Sequence, residues 1–139
     1  MKYLYPALIS YNENDKAFSV DFPDLKGCIT FGKTHDEALF MACDALSLYL
    51  ESLIERKLIV PKPSEIPGAV LVEPRAGVSF ALWLRATRKA SGMTLTETAE
   101  KLGVKYQVYQ KLENPATANP TLRTLKKLEK VFGTELVRV

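Results

Sequence analysis

The chain has few of the residues from which metal and redox sites are built. Among 139 residues there is one histidine, His35, and there are two cysteines, Cys28 and Cys43. The two cysteines are fifteen residues apart and match no metal-binding spacing, and His35 has no second histidine to complete a metal site. We therefore expect no metal and no other cofactor, and we interpret both cysteines as buried free thiols.

Long apolar runs are also missing. No segment approaches the ~18 apolar residues that a membrane-spanning helix needs, and the N-terminus lacks the apolar stretch of a secretory signal peptide. The composition, 47% hydrophobic and 25% charged residues, is ordinary for a soluble globular protein. We expect a cytoplasmic protein that does not contact a membrane.

The net charge of +3 conceals an uneven distribution. Residues 1–74 contain 7 Lys and Arg against 11 Asp and Glu, a net charge of −4. Residues 75–139 contain 12 against 5, a net charge of +7. Such asymmetry indicates two halves with different partners. A basic half suits nucleic acid, and an acidic half suits a basic protein.

The N-terminal half has the pattern of a small mixed domain. Short segments of apolar and alternating residues predict strands over 3–11, 18–22 and 28–31, and a fourth over 69–73. A helix is predicted to begin at Thr34, which has the capping-box spacing to a glutamate three positions on. Its buried face is expected to comprise Ala38, Leu39, Ala42, Ala45, Leu46, Tyr49 and Leu53. The order βββαβ predicts a sheet with one helix on its face.

The pattern changes near residues 74–78, where we place a domain boundary. Beyond it, helical periodicity predicts four helices, over 80–90, 96–102, 105–113 and 122–132. The predicted fold class is therefore α+β, with a mixed domain over residues 1–75 and an all-α domain over residues 76–139.

Two of these helices have the spacing of a helix-turn-helix unit. Thr94 and Glu97 form a second capping box, and Gly103 is suited to a left-handed helix end. Two short helices joined through a glycine can place the second helix in the major groove of DNA. The contacts that fix their angle are expected to come from Ala99, Leu102, Val104, Val108 and Leu112, with Val108 and Leu112 facing the core.

The other faces of the second helix carry side chains suited to DNA. Gln107 and Gln110 can pair with adenine, and Lys105 and Lys111 can reach guanine or phosphate. Tyr106 can bond a phosphate or pack on a thymine methyl group. The alternative interpretation is a solvated polar face of an amphipathic helix.

Residues 79–133 resemble the Cro and phage-repressor, or Xre, helix-turn-helix family. The resemblance rests on AEKLGVKYQVYQKLEN (99–114) and NPTLRTLKKLEKVFG (119–133). It implies that Asn119 caps the last helix and that Pro120 is its first residue.

Two positions depart from this family. Leu95 stands where a glutamine usually contacts the DNA backbone, so Thr94 or Thr96 is expected to take over that contact. Thr98 stands where leucine is usual, which would slightly weaken the core.

The segment 22–50 resembles the HicB antitoxin family. Its hallmark runs are Phe22-Pro23-Asp24, Gly27-Cys28, Gly32-Lys33-Thr34 and Glu37-Ala38-Leu39. The resemblance covers residues 3–75; Lys26 replaces the usual proline. It implies a truncated RNase H-like sheet, which in one branch of the family precedes an Xre-type domain. It further implies an antitoxin that blocks HicA, a small basic toxin that cleaves mRNA, and represses its own operon.

The resemblance leaves the toxin surface open. We place it on the exposed part of the sheet and the adjoining loop, with Asp21, Phe22, Asp24 and Leu25 as contacts. The alternative is that the two aspartates only solvate a strand end and a turn. Because one helix-turn-helix covers few bases, we expect a homodimer or homotetramer, and the tail 135–139 could add a strand across the dimer axis.

An RNase H-like sheet also raises the question of catalysis, which in metal-dependent nucleases needs convergent carboxylates. The available carboxylates lie on different predicted elements: Asp15, Asp21, Asp24, Asp36, Glu37 and Asp44. We therefore expect no enzymatic activity. Two other functions stay open at this stage, namely a ligand-sensing transcription regulator and a ribonuclease H-like enzyme.

Overall fold

The computed structural model describes residues 3–136, which form two compact units that divide between Arg75 and Ala76. The first unit combines a sheet and a helix, and the second contains helices. This confirms the predicted α+β class. In the described part of the chain, no helix has both the length and the apolar character needed to cross a membrane.

The N-terminal unit is built on a four-stranded antiparallel sheet. The strands β1 (Tyr5–Asn12), β2 (Ala17–Asp21), β3 (Ile29–Gly32) and β4 (Val70–Val72) lie in the order β3-β2-β1-β4. Alternation places one set of side chains inward, including the buried Tyr5, Ala7, Val20 and Val72. The opposite set faces outward.

The helix α1 (His35–Glu55) covers the inner face of this sheet. It begins at Thr34, whose hydroxyl accepts a hydrogen bond from the Glu37 amide at 3.0 Å. The predicted face is correct at Ala38, Ala42, Leu46 and Leu53, whereas Leu39, Ala45 and Tyr49 are half-buried. Ser47, Leu50 and Ile54 are buried instead. The buried stripe is therefore rotated slightly from the predicted one.

Gly32 allows α1 to approach the sheet closely. A Cβ atom at this position would lie 2.6 Å from the Ala38 Cα and would also overlap the Ala38 amide nitrogen. Both are backbone atoms, so no side-chain rotation could make room. The Gly32-Lys33-Thr34 run thus combines a close strand–helix contact with the cap of α1.

The C-terminal unit contains α2 (Ala76–Ala90), α3 (Leu95–Leu102), α4 (Tyr106–Leu112) and α5 (Leu122–Phe132). Its core is formed by Phe80, Leu84, Ala99, Leu102, Tyr109, Leu112 and Leu128. The cap of α5 is Thr121, which accepts from the Thr124 amide at 3.1 Å. The expected cap, Asn119, and first residue, Pro120, were therefore wrong, because the helix begins at Leu122.

Candidate nucleic-acid interface and protein-binding surfaces

A glycine turn joins α3 to α4. Thr94 accepts a hydrogen bond from the Glu97 amide at 3.1 Å, and the Glu97 carboxylate accepts from the Thr94 amide at 3.4 Å. At the other end of α3, Gly103 has φ 76° and ψ 30°, a left-handed conformation that glycine adopts without strain. The Val104 amide then bonds back to the Ala99 carbonyl at 3.1 Å. The angle between α3 and α4 is thus fixed by backbone bonds as well as by packing.

The predicted DNA-contacting side chains of α4 lie on its outer surface. Tyr106, Gln107, Gln110 and Lys111 are exposed, as is Lys105, the residue before the helix. They form a polar surface with two cations and two amides, which can bond phosphates and base edges.

The prediction for Val108 was wrong. Its side chain is 48% exposed, and Tyr109 is fully buried in its place. Tyr109 and Leu112 are three residues apart and share the core face, so Val108 falls at the edge of the outer face. An apolar side chain therefore borders the exposed amides of α4.

The two threonines before and within α3 differ in availability. Both are exposed, but the Thr94 hydroxyl is engaged as the helix cap. Leu95, which replaces the usual glutamine, packs against the C-terminal core. Thr98 is buried, and its hydroxyl donates to the Thr94 carbonyl at 2.8 Å, which satisfies it.

A buried ion pair links the end of α2 to the end of α4. Arg88 donates to both carboxylate oxygens of Glu113, at 2.6 Å and 3.1 Å, and also to the Met93 carbonyl at 3.0 Å. The two side chains are only 13% and 8% exposed. The hydrogen bond to Glu113 raises the pKa of Arg88, so the guanidinium stays charged. Nothing in the local sequence pattern predicted this pair, because its members are 25 residues apart.

The loop between β2 and β3 does not present the predicted apolar contacts. Phe22 and Leu25 are 1% and 0% exposed, so their assignment to a protein-binding surface was wrong. The Leu25 amide bonds the Phe22 carbonyl at 3.0 Å, and the Cys28 amide bonds the Leu25 carbonyl at 3.0 Å. This tight loop turns both apolar side chains into the core.

The two predicted aspartates have different surroundings. Asp21 is exposed at the end of β2. Asp24 accepts hydrogen bonds from the Ser64 amide, at 2.8 Å, and from the Ser64 hydroxyl, and so ties the connector after α1 to the loop. Asp24 has a structural role in the free chain, whereas Asp21 is available to a partner.

The outward side of the sheet, which we call the open sheet face, is rich in apolar groups. In the antiparallel register Leu8 lies opposite Asp21, which lies opposite Ile29. Phe31 and Leu71 lie on the same side, and the four apolar side chains are 43–58% exposed. Because the outer face of an antiparallel sheet is usually polar, this composition is typical of a surface that binds another protein.

The predicted tail strand lies partly outside the described residues. Within them, the Leu136 amide donates to the Glu129 carboxylate at 2.6 Å, and the Leu136 side chain packs against the C-terminal core. Within residues 3–136, no group of three or more histidine, cysteine, aspartate and glutamate side chains is placed to hold a metal ion.

Comparisons with known proteins point to one family. Residues 5–125 match the family described as HicB-like antitoxin of bacterial toxin-antitoxin system. Antitoxin HicB 2 of Photorhabdus laumondii is 31% identical over 108 residues, which cover 78% of this chain and 76% of that protein. Antitoxin HicB 1 of the same organism is 35% identical over 103 residues, which cover 74% of this chain and 65% of that protein.

A solved structure shares the fold. The toxin-antitoxin complex from Streptococcus pneumoniae contains a chain with a TM-score of 0.51 and 22% identity. The match covers 72% of this chain and 95% of that one. At this identity the likeness concerns the fold alone.

Proposed function

Because the chain belongs to the HicB-like antitoxin family of bacterial toxin-antitoxin systems, we propose that it neutralises a basic HicA-type toxin and represses its own operon, without enzymatic activity. The N-terminal unit would bind the toxin, and the C-terminal unit would bind operator DNA. The observation that carries the proposal is the family match over residues 5–125, which extends through α4 and into α5. Three antiparallel strands followed by a helix also suit the truncated RNase H-like sheet that the resemblance to the HicB family implies.

The DNA-binding part of the proposal rests on α3, α4 and the charge around them. We propose that these helices act as a helix-turn-helix of the Xre type and that α4 enters the major groove. The left-handed turn at Gly103, the outward amides of Gln107 and Gln110 and the net charge of +7 over residues 75–139 support this role. A homodimer or homotetramer would place two such helices about one DNA turn apart.

The antitoxin function is tested by co-expression. We expect the small basic protein encoded beside this gene to arrest growth when produced alone, and the full chain to restore growth and co-purify with it. The negative N-terminal half and the positive toxin would associate rapidly at low salt. If the full chain neither restores growth nor forms a complex with the neighbouring protein, the ligand-sensing regulator becomes the better interpretation.

The DNA contacts are tested by substitutions on α4. Gln107→Ala and Gln110→Ala should each relax base preference at particular positions by about 1–3 kcal/mol, because a bidentate amide–adenine pair is lost. Lys105→Ala and Lys111→Ala should weaken binding to all sequences and reduce its salt dependence, because they remove phosphate contacts. The measurement is binding to a randomised DNA pool at two salt concentrations. Unchanged preference in both glutamine variants would show that another face of the unit reads the bases.

A further inference from the structure

The outer side of α1 combines exposed apolar and acidic side chains in one stripe. Phe40 is 72% exposed and Leu48 is 53% exposed, which is unusual for large apolar groups on a helix that already buries its other side. They are eight residues apart, about 12 Å along the helix axis. The stripe, which we call the acidic helix face, follows steps of three and four residues and comprises Glu37, Phe40, Asp44, Leu48, Glu51 and Glu55.

The charge of this face has one sign. The helix from His35 to Glu55 contains five Asp and Glu residues and no Lys or Arg. Arg75 bonds Asp44 at 2.9 Å and Glu51 at 3.4 Å, and so offsets part of the charge beside Leu48. Glu37 near Phe40 and Glu55 beyond Leu48 are exposed. Two apolar side chains are therefore surrounded by carboxylates.

We propose that the acidic helix face is the principal docking surface for the toxin. In the complex, α1 would lie in an apolar groove of the toxin that is bordered by basic side chains. The inference rests on the proposed antitoxin function and names the surface and the chemistry of the partner. Phe40 and Leu48 would fill the groove as anchors, in the manner of a helix bound through residues on one side. The carboxylates would meet the basic rim, which speeds encounter and fixes orientation.

The open sheet face is the competing surface. It is apolar, and within the four strands the one charged side chain is Asp21, which lies beside the serine hydroxyls of the Ser10–Ser19 pair. Charge complementarity with a basic partner is therefore stronger on α1. The predicted loop surface is weaker still, because Phe22 and Leu25 are in the core.

The test compares two matched pairs of substitutions in the full chain. Phe40→Lys with Leu48→Lys places like charge into the groove, whereas Phe31→Lys with Leu71→Lys makes the same change on the open sheet face. All four side chains are more than half exposed, so neither pair should disturb the core. Lysine also favours helix and can pair with Glu37 and Asp44 on α1. Binding to the neighbouring gene's product is measured by titration calorimetry.

We expect the α1 pair to weaken toxin binding by about 100-fold or more, since two central anchors are lost, and the sheet pair to change it less than about fivefold. Unaltered circular dichroism and operator binding would show that both variants are folded. The assignment would be overturned if the α1 pair bound the toxin as tightly as the original chain does, or if only the sheet pair lost toxin binding. It would also be overturned if the α1 pair lowered the homodimer content. If the original chain itself does not bind the toxin, the proposed function fails rather than the choice of face.

Discussion

Glu113→Ala should destabilise the C-terminal unit by about 3–5 kcal/mol, because it leaves the Arg88 guanidinium charged and unpaired inside the protein. The pair is bidentate and largely buried, and it joins α2 to the end of α4. Trp83, the single tryptophan, packs against Phe80 and Phe132 in the same unit. Its fluorescence during urea unfolding therefore reports on this unit. Operator binding should be lost near physiological temperature.

Two controls separate a buried charge from a general loss of contacts. Lys126→Ala removes an ion pair with Glu129 in the same unit, in which the lysine side chain is 53% exposed, and it should cost less than about 1 kcal/mol. Replacing Arg88 and Glu113 together by leucine should recover much of the loss, because apolar side chains leave no unpaired charge. A loss below about 1 kcal/mol for Glu113→Ala would mean that the pair contributes no more than a surface pair.

Gly32→Ala should disrupt the N-terminal unit, because its new Cβ would overlap the Ala38 backbone. Because these backbone atoms cannot rotate away from the new Cβ, we expect the free energy of unfolding to fall by about 3 kcal/mol, the upper end of the range for overpacked cores. Cys28 provides the readout. It is buried in this unit, and burial together with the nearby Asp21 raises the pKa of the Cys28 thiol to about 11, so the native thiol is scarcely ionised at neutral pH. In a Cys43→Ala background, the variant should become reactive toward a thiol reagent.

The matched control is Gly27→Ala. Gly27 has φ +82° and no atom within 4 Å of its Cβ position, so alanine there costs backbone strain of about 1–2 kcal/mol without a clash. The stability that Gly32→Ala loses beyond the loss in Gly27→Ala gives the cost of the steric overlap between β3 and α1. If both variants lose the same stability, strain at glycine positions rather than the strand–helix approach would explain the result.

Together these variants test whether the two units work separately. Glu113→Ala should abolish operator binding and leave toxin neutralisation intact, whereas Gly32→Ala should do the reverse. Tyr109→Phe removes a buried hydroxyl that lies beside the Arg88–Glu113 pair and forms no hydrogen bond of ordinary geometry among the described residues, so urea unfolding should show a change in stability of about 1 kcal/mol or less. Burial and the neighbouring Glu113 raise the pKa of Tyr109 well above its usual range, so this hydroxyl stays protonated.

The sequence alone determined the features that depend on neighbours a few residues apart. The caps at Thr34 and Thr94, the left-handed turn at Gly103 and the helix Leu122–Phe132 were predicted from local spacing and observed in the structure. The exposure of the α4 amides followed in the same way. Such signals are readable because a cap or turn is satisfied by backbone groups within one helical turn.

The tertiary structure decided which apolar groups are buried and which distant charges meet. The pattern alone did not distinguish Val108 from Tyr109, because each has an apolar partner at helical spacing and only the position of the neighbouring helices selects the buried face. Phe22 and Leu25 turn inward because the loop closes on itself. Arg88 and Glu113 are 25 residues apart, and packing of the C-terminal helices around one core brings them together.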